Sequence, residues 1–247
     1  MRAKITSVLA ALLVVVSLSG CVVVSMGGNG SGVRGQGPQI THQLQPGQFE
    51  RIHISGSWDV VYRHAPQPAL TVIIEQNLFE LLDISVEQGQ LNIRPQANIQ
   101  WGSTSSRIYI YAPSLEELNF AGAGHLRDWE PLSAESFALN LSGAVSGEIS
   151  GLDVDSFSAN LSGAVSASLS GRADSVNIIT GGAVSLQAQE LQAHHAWITA
   201  SGASSIDIAA SYSLNVIVSG GGRVRYVGNP QVTQSVSGAG TVSQLAG

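Results

Sequence analysis

Lysine is all but missing from this 247-residue chain: Lys4 is the only one. Phosphate-backbone binding needs clustered Lys and Arg, so a nucleic-acid surface is excluded as a partner, and the net charge of −6 points the same way. Cysteine occurs once, at Cys21, so no intramolecular disulfide can form. Stability must therefore come from packing and hydrogen-bonded ladders. Charged residues make up only 11% and aromatics 6%, against abundant Ser, Ala, Val, Leu and Ile. The longest apolar stretch, Val8–Leu18, has eleven residues, about half the ~20 that a membrane-spanning helix requires. Helical periodicity is nearly absent as well. Asn77–Leu82 is the best exception and predicts a single short turn of helix.

What is present begins with an export signal. Arg2 and Lys4 form a positive n-region, Val8–Leu18 has the length of a signal-peptide apolar region, and a small-residue segment follows. Leu18-Ser19-Gly20-Cys21 resembles the lipobox of bacterial lipoproteins, which implies cleavage after residue 20 and acylation of Cys21. The membrane partner is then reached through lipid, with two or three acyl chains holding where one would bind marginally. By the same resemblance, Val22 in place of Asp implies sorting to the outer membrane. Cleavage removes Arg2 and Lys4, the only charges in residues 1–20, and takes the net charge from −6 to −8. Ser25–Pro38 is dominated by Gly, Ser and Asn and predicts a flexible tether. The expected organisation is therefore a signal peptide (1–20), an acylated cysteine with a tether (21–38) and one folded body (39–247).

The body is repetitive. Corresponding glycines recur at Gly122, Gly143, Gly163, Gly182, Gly202, Gly220 and Gly238, at spacings of 21, 20, 19, 20, 18 and 18, with a diverged copy at Gly56. Each repeat carries two runs of apolar/polar alternation, as in Phe137–Leu141 and Val145–Ile149, and alternation at period two marks a half-buried strand. Between the runs a Ser-Gly-Ala step supplies a tight corner. One repeat cannot bury its inward face alone, whereas stacked repeats bury a continuous column. These features predict an all-β fold, a right-handed parallel β-helix (β-solenoid) with about 20 residues per coil, its corners at the eight glycines. The competing architecture is a β-sandwich or jelly roll. Near-identity between neighbouring repeats favours stacking of like on like.

The chemistry expected of an enzyme is thin. Asp153 and Asp155 would share a strand face at roughly 7 Å, a separation within the range of paired glycosidase carboxylates, and Asp128 with Glu130 form a second such pair. Both pairs sit near corners, where acidic residues usually face water. The six histidines show no ligand spacing, and adjacent His194 and His195 would point to opposite faces of a strand, so no metal or other cofactor is expected. Trp58, Trp101, Trp129 and Trp197 are not spaced at the repeat length and predict no single aromatic row. Arg223 and Arg225 make a small basic spot beside Tyr226. Asn119, Asn140 and Asn160 each precede a corner glycine by three and predict a stacked amide ladder.

Phe49–Val60 (FERIHISGSWDV), Gly89–Ile93 (GQLNI), Ile108–Leu115 (IYIYAPSL) and the Ser-Gly-Ala series together resemble the family of putative auto-transporter adhesin, head GIN domain proteins. The resemblance covers essentially the whole body and implies a right-handed parallel β-helix behind a lipoprotein signal. It brings no catalytic residues with it. The function expected is that of a non-catalytic outer-membrane lipoprotein binding a protein, a glycan or another copy of itself. An envelope enzyme acting on polysaccharide, or a purely structural component, are the alternatives.

Overall fold

Alternation of apolar and polar side chains turns every second residue inward, and strand follows from it through most of the chain. The computed structural model describes residues 32–101 and 106–245. These form β1 (Val33–Arg34), β2 (Gln39–Leu44), β3 (Arg51–His64), β4 (Ala69–Glu75), α1 (Gln76–Phe79), β5 (Leu82–Glu87), β6 (Gln90–Pro95) and β7 (Ile99–Gln100). There follow β8 (Arg107–Ala112), β9 (Glu117–Arg127), β10 (Leu132–Gly202), β11 (Ser205–Gly220), β12 (Arg223–Val227), β13 (Gln231–Gly238) and β14 (Thr241–Gln244). The fold is all-β without a closed barrel. The short helix α1 starts one residue before the predicted helical turn and buries Leu78.

Most pairing is parallel and joins residues one repeat apart. Gly56 lies opposite Gly122 between β3 and β9, and Gly122 opposite Gly143 between β9 and β10. Gly202 lies opposite Gly220, and Gly220 opposite Gly238, along β10, β11 and β13. Within β10, a Cβ added to Gly163 would run into the Gly143 carbonyl oxygen; one on Gly182 would lie 2.6 Å from Gly163 O, and one on Gly202 2.7 Å from Gly182 O. The eight glycines thus form one column.

Beside that column the inward residues stack in files. Leu118, Leu139, Ala159, Ile178, Ile198 and Val216 make one file, and Phe120, Leu141, Leu161, Thr180, Ala200 and Val218 the next, all at most 2% exposed. A buried aromatic series runs from Tyr62 to Trp129, Phe137 and Phe157 with centroid separations of 5.1, 6.4 and 6.0 Å. Toward the C-terminal side the position of Phe157 passes to Val176, Ala196 and Leu214, all buried. Each fully buried Leu, Ile, Val or Phe contributes about 1.5–3 kcal/mol, so these files hold the stack together.

Uniform parallel coils from Gln39 onward are not what the structure contains. In the part of the body before Gly122 the pairs β2–β4, β4–β8 and β5–β6 are antiparallel. The β5–β6 hairpin closes at Gln88 and Gly89, both at positive φ (49° and 76°), a backbone twist that matches a tight hairpin. These strands join the same sheet because β3 pairs in parallel with β6 and β8. The glycine-rich segment ahead of the body also carries structure: β1 pairs with β7, and Asn77 accepts from the Gln36 N–H and donates to the Arg34 carbonyl.

Candidate functional site

The glycine column generates the most continuous feature. Gly182 has φ +106° and faces a carbonyl across the stack, so no side chain fits there, and the residue after each glycine is small. Ala123, Ala144, Ala164, Ala183 and Ala203, with Val145, Val165, Val184 and a row of serines, line a groove of about 810 Å³. With the Ser57–Asp59 row of β3 the groove spans six rows, roughly 24 Å at the strand spacing.

Asp59 stands at one end of this groove. Parallel register places Arg107 and His125 directly opposite it on the two neighbouring strands. Its carboxylate, only 3% exposed, lies 2.9 Å from His125 Nδ1, 3.1 Å from Arg127 Nε and 3.8 Å from the nearest Arg107 guanidinium nitrogen. A buried carboxylate is costly unless its partners are this close. The Arg107 guanidinium donates to the Tyr109 hydroxyl oxygen at 3.2 Å, and this hydrogen bond is the first cause that raises the Arg107 pKa above its ordinary value.

A second cavity, of about 660 Å³, brings together Asp153, Asp155, Arg172, Asp174 and His194. The sequence-predicted pair Asp153 and Asp155 is thus on one lining, but Asp153 is held by Arg172 at 2.6 Å and Asp174 by His194 Nδ1 at 2.7 Å, each across one repeat. The other acidic pair is separated. Asp128 sits at positive φ (46°) and lines the cavity beside Asp59, while Glu130 turns to Arg63 and to the His64 N–H.

The remaining candidates divide similarly. Asn160 donates to Asn140 at 2.9 Å and Asn140 to Asn119 at 2.7 Å, so the amide ladder is present, and Glu117 Oε1 accepts from both Asn119 and Asn140. Arg225 is bidentate on buried Asp207, and that hydrogen bonding raises its pKa; Arg223 is exposed. His42 stacks on Phe79 at 3.6 Å. Among the described residues no group of three or more His, Cys, Asp and Glu could hold a metal ion, and no helix is long and apolar enough to cross a membrane. Cys21 lies outside the described residues.

The tryptophans part company. Trp58 and Trp129 are buried, Trp101 packs edge-on against Trp58 at 5.0 Å, and Trp197 is 43% exposed. Trp197 has company that spacing among tryptophans could not reveal: His195, two residues before it on the same strand, and Tyr212, in the next repeat, contact it or each other. The signal was a His-x-Trp pair followed by an aromatic residue one repeat on.

Comparison with known proteins comes to the same fold. A crystal structure from Bacteroides fragilis described as a putative adhesin shares 20% identity, covers 87% of this chain and 100% of its own, and superposes with a TM-score of 0.82. One from Parabacteroides distasonis, described as a putative lipid binding protein, shares 23% over 87% and 99%, with a TM-score of 0.70. Another from Parabacteroides distasonis, described as a putative adhesin, shares 19% over 86% and 99%, at 0.67. At these identities the likeness is one of fold. No curated protein matches. Residues 48–230 match the family model described as "Putative auto-transporter adhesin, head GIN domain", a description of adhesins rather than enzymes that suggests a cell-envelope or surface location. The chain belongs to that family.

Proposed function

We propose that this chain is a non-catalytic, lipid-anchored binding protein of the cell envelope with an adhesin-type role. In this reading the body is a right-handed parallel β-helix of about 20 residues per coil, acylated Cys21 begins the mature chain, and Val22 directs it to the outer membrane. The observation that carries the reading is the eight-glycine column. Repeats held in register by their corners turn outward side chains into continuous rows, which suits recognition of an extended partner such as a protein, a glycan or another copy. Family membership and the adhesin-like structural neighbours support it. The groove of Ala and Val beside the column, ending at Asp59, is the natural seat for an extended, partly apolar ligand, in keeping with the neighbour described as lipid binding.

The test is anchoring together with adhesion in the native host. Wild-type protein should take up an alkynyl fatty-acid label and sediment with outer membranes, and cells should lose attachment when the gene is deleted. Cys21→Ser should abolish label and sedimentation together. Retained labelling in Cys21→Ser, or attachment unaffected by deletion, overturns the reading.

A second reading, an envelope enzyme acting on polysaccharide, draws on the cavity that collects Asp153, Asp155 and Asp174. The ion pairs to Arg172 and His194 weigh against it, since they occupy two of the three carboxylates. Turnover of a glycan that is lost in Asp155→Asn would favour it.

A further inference from the structure

The chain is poor in aromatic residues, and its core takes Phe49, Trp58, Tyr62, Phe120, Trp129, Phe137 and Phe157. Among the described residues the large aromatics left in water are Trp197 (43% exposed) and Tyr212 (64%), and they meet at one place. His195 lies between them, its ring 5.9 Å from Trp197 at 25° and 5.1 Å from Tyr212 at 65°. The His195 ring is itself fixed, because Nδ1 is hydrogen-bonded to Ser213 Oγ at 2.8 Å on the adjacent strand.

Nothing in folding asks for this cluster. Trp197 occupies an outward position between buried Ala196 and Ile198, where the equivalent residues in the next two repeats are Asn215 and Thr233. A large aromatic left at such a site exposes apolar area that an amide or hydroxyl would not. Along the rows that carry these rings the chemistry is polar but not ionic, the nearest charged pair being Asp174 with His194 beside His195. Register sets Ser213 and Gln231 beside His195, Asn215 and Thr233 beside Trp197, and Ile217 and Ser235 beside Thr199. These rows hold amides, hydroxyls and one aliphatic side chain, and no carboxylate, lysine or arginine.

We propose that His195, Trp197 and Tyr212 form a platform for a neutral polysaccharide. The proposal deepens the binding-protein reading and rests on it. A pyranose ring has an apolar C–H face and an equatorial rim of hydroxyls. Its face packs on an aromatic ring, and its rim takes hydrogen bonds from neutral donors and acceptors at the side. Trp197 with the half-parallel His195 supplies the flat support, Tyr212 stands at its border, and the Asn, Gln, Ser and Thr side chains meet the rim. Charge decides among ligands. A platform without cations on a chain of net charge −6 has nothing to offset the repulsion of an acidic polymer. It also lacks the arginine that commonly joins aromatics at the energetic centre of protein–protein interfaces.

The experiment titrates full-length protein in detergent with cellohexaose, laminarihexaose, mannohexaose and polygalacturonate, following tryptophan fluorescence and calorimetry. At least one neutral hexasaccharide should bind and polygalacturonate should not. Trp197→Ala should weaken that binding at least tenfold, Tyr212→Ala severalfold, and Trp197→Phe little, while Asp83→Asn on β5, far along the chain from the platform, leaves it unchanged. Because Trp197 is half in water its replacement should not unfold the chain, and unfolding curves of the variants verify this. Absence of binding to all three neutral sugars, or equal binding by Trp197→Ala, overturns the platform. Cell attachment that depends on the protein but is inhibited by no neutral sugar and survives Trp197→Ala overturns the platform while leaving the binding-protein reading in place. Capture of a protein through Trp197 without sugar binding does the same.

Discussion

The Asn140 side-chain amide donates to Asn119 Oδ1 at 2.7 Å from one repeat to the next, and accepts in turn from Asn160 at 2.9 Å. Identical residues at identical heights therefore bond to one another, which only an in-register parallel stack allows.

Asn140→Ala removes the central rung, depriving Asn160 of its acceptor and leaving Glu117 with Asn119 alone. A lost hydrogen bond at a partly exposed site costs about 1 kcal/mol, and Asn140→Asp should cost more at neutral pH, because it sets a carboxylate against the oxygens of Glu117 and Asn119. Urea unfolding of both variants measures this; an unchanged midpoint in Asn140→Asp would show the ladder to be energetically idle.

Gly182 and its neighbour Gly181 make an internal control. Gly182 has φ +106° and its added Cβ would lie 2.6 Å from Gly163 O, whereas a Cβ on Gly181 meets nothing within 4 Å. Gly182→Ala should destabilise by roughly 2–4 kcal/mol through backbone strain and repacking of the corner. Gly181→Ala should stay within about 0.5 kcal/mol of wild type. Equal effects in thermal unfolding would mean that the corner is not under the constraint described.

Tyr62 is fully buried, with its hydroxyl 3.3 Å from the Ala112 carbonyl oxygen. Burial, and then the negative charge of Glu130, pushes its pKa up to about 12. An unfolded tyrosine titrates near 10, so on raising the pH the unfolded chain loses this proton first. The contribution of Tyr62 to stability is therefore intact below about pH 10 and is lost as pH rises through about 12, a change of order 2 kcal/mol. Denaturation of wild type and Tyr62→Phe across that window should show the steeper alkaline decline in wild type alone; parallel curves would refute the assignment.

How much of this was legible beforehand can be judged residue by residue. The glycine spacing and the Asn-x-x-Gly recurrence pointed to stacked repeats because a repeat that pairs with its own copy must keep the same residue at each height. The interval between Gly56 and Gly122 held alternating runs too, such as Ala69–Glu75 and Arg107–Ala112, but alternation is the same for parallel and antiparallel neighbours. Only the tertiary pairing shows β4 antiparallel to β8 and β5 antiparallel to β6, the latter through the positive-φ turn at Gln88–Gly89. Asp153 and Asp155 lie on a common lining, yet the cation that holds Asp153, Arg172, comes from one repeat away, as does His194 on Asp174.

Sequence alone determined the strand content, the in-register glycine column and the amide ladder, because period, glycine and repeat length are local properties that stacking merely copies. Tertiary structure alone decided which aromatics are buried and which meet in water, and which cations surround Asp59. Those outcomes depend on the neighbour one repeat away, and a lateral neighbour in a sheet leaves no mark in the order of residues along its own strand.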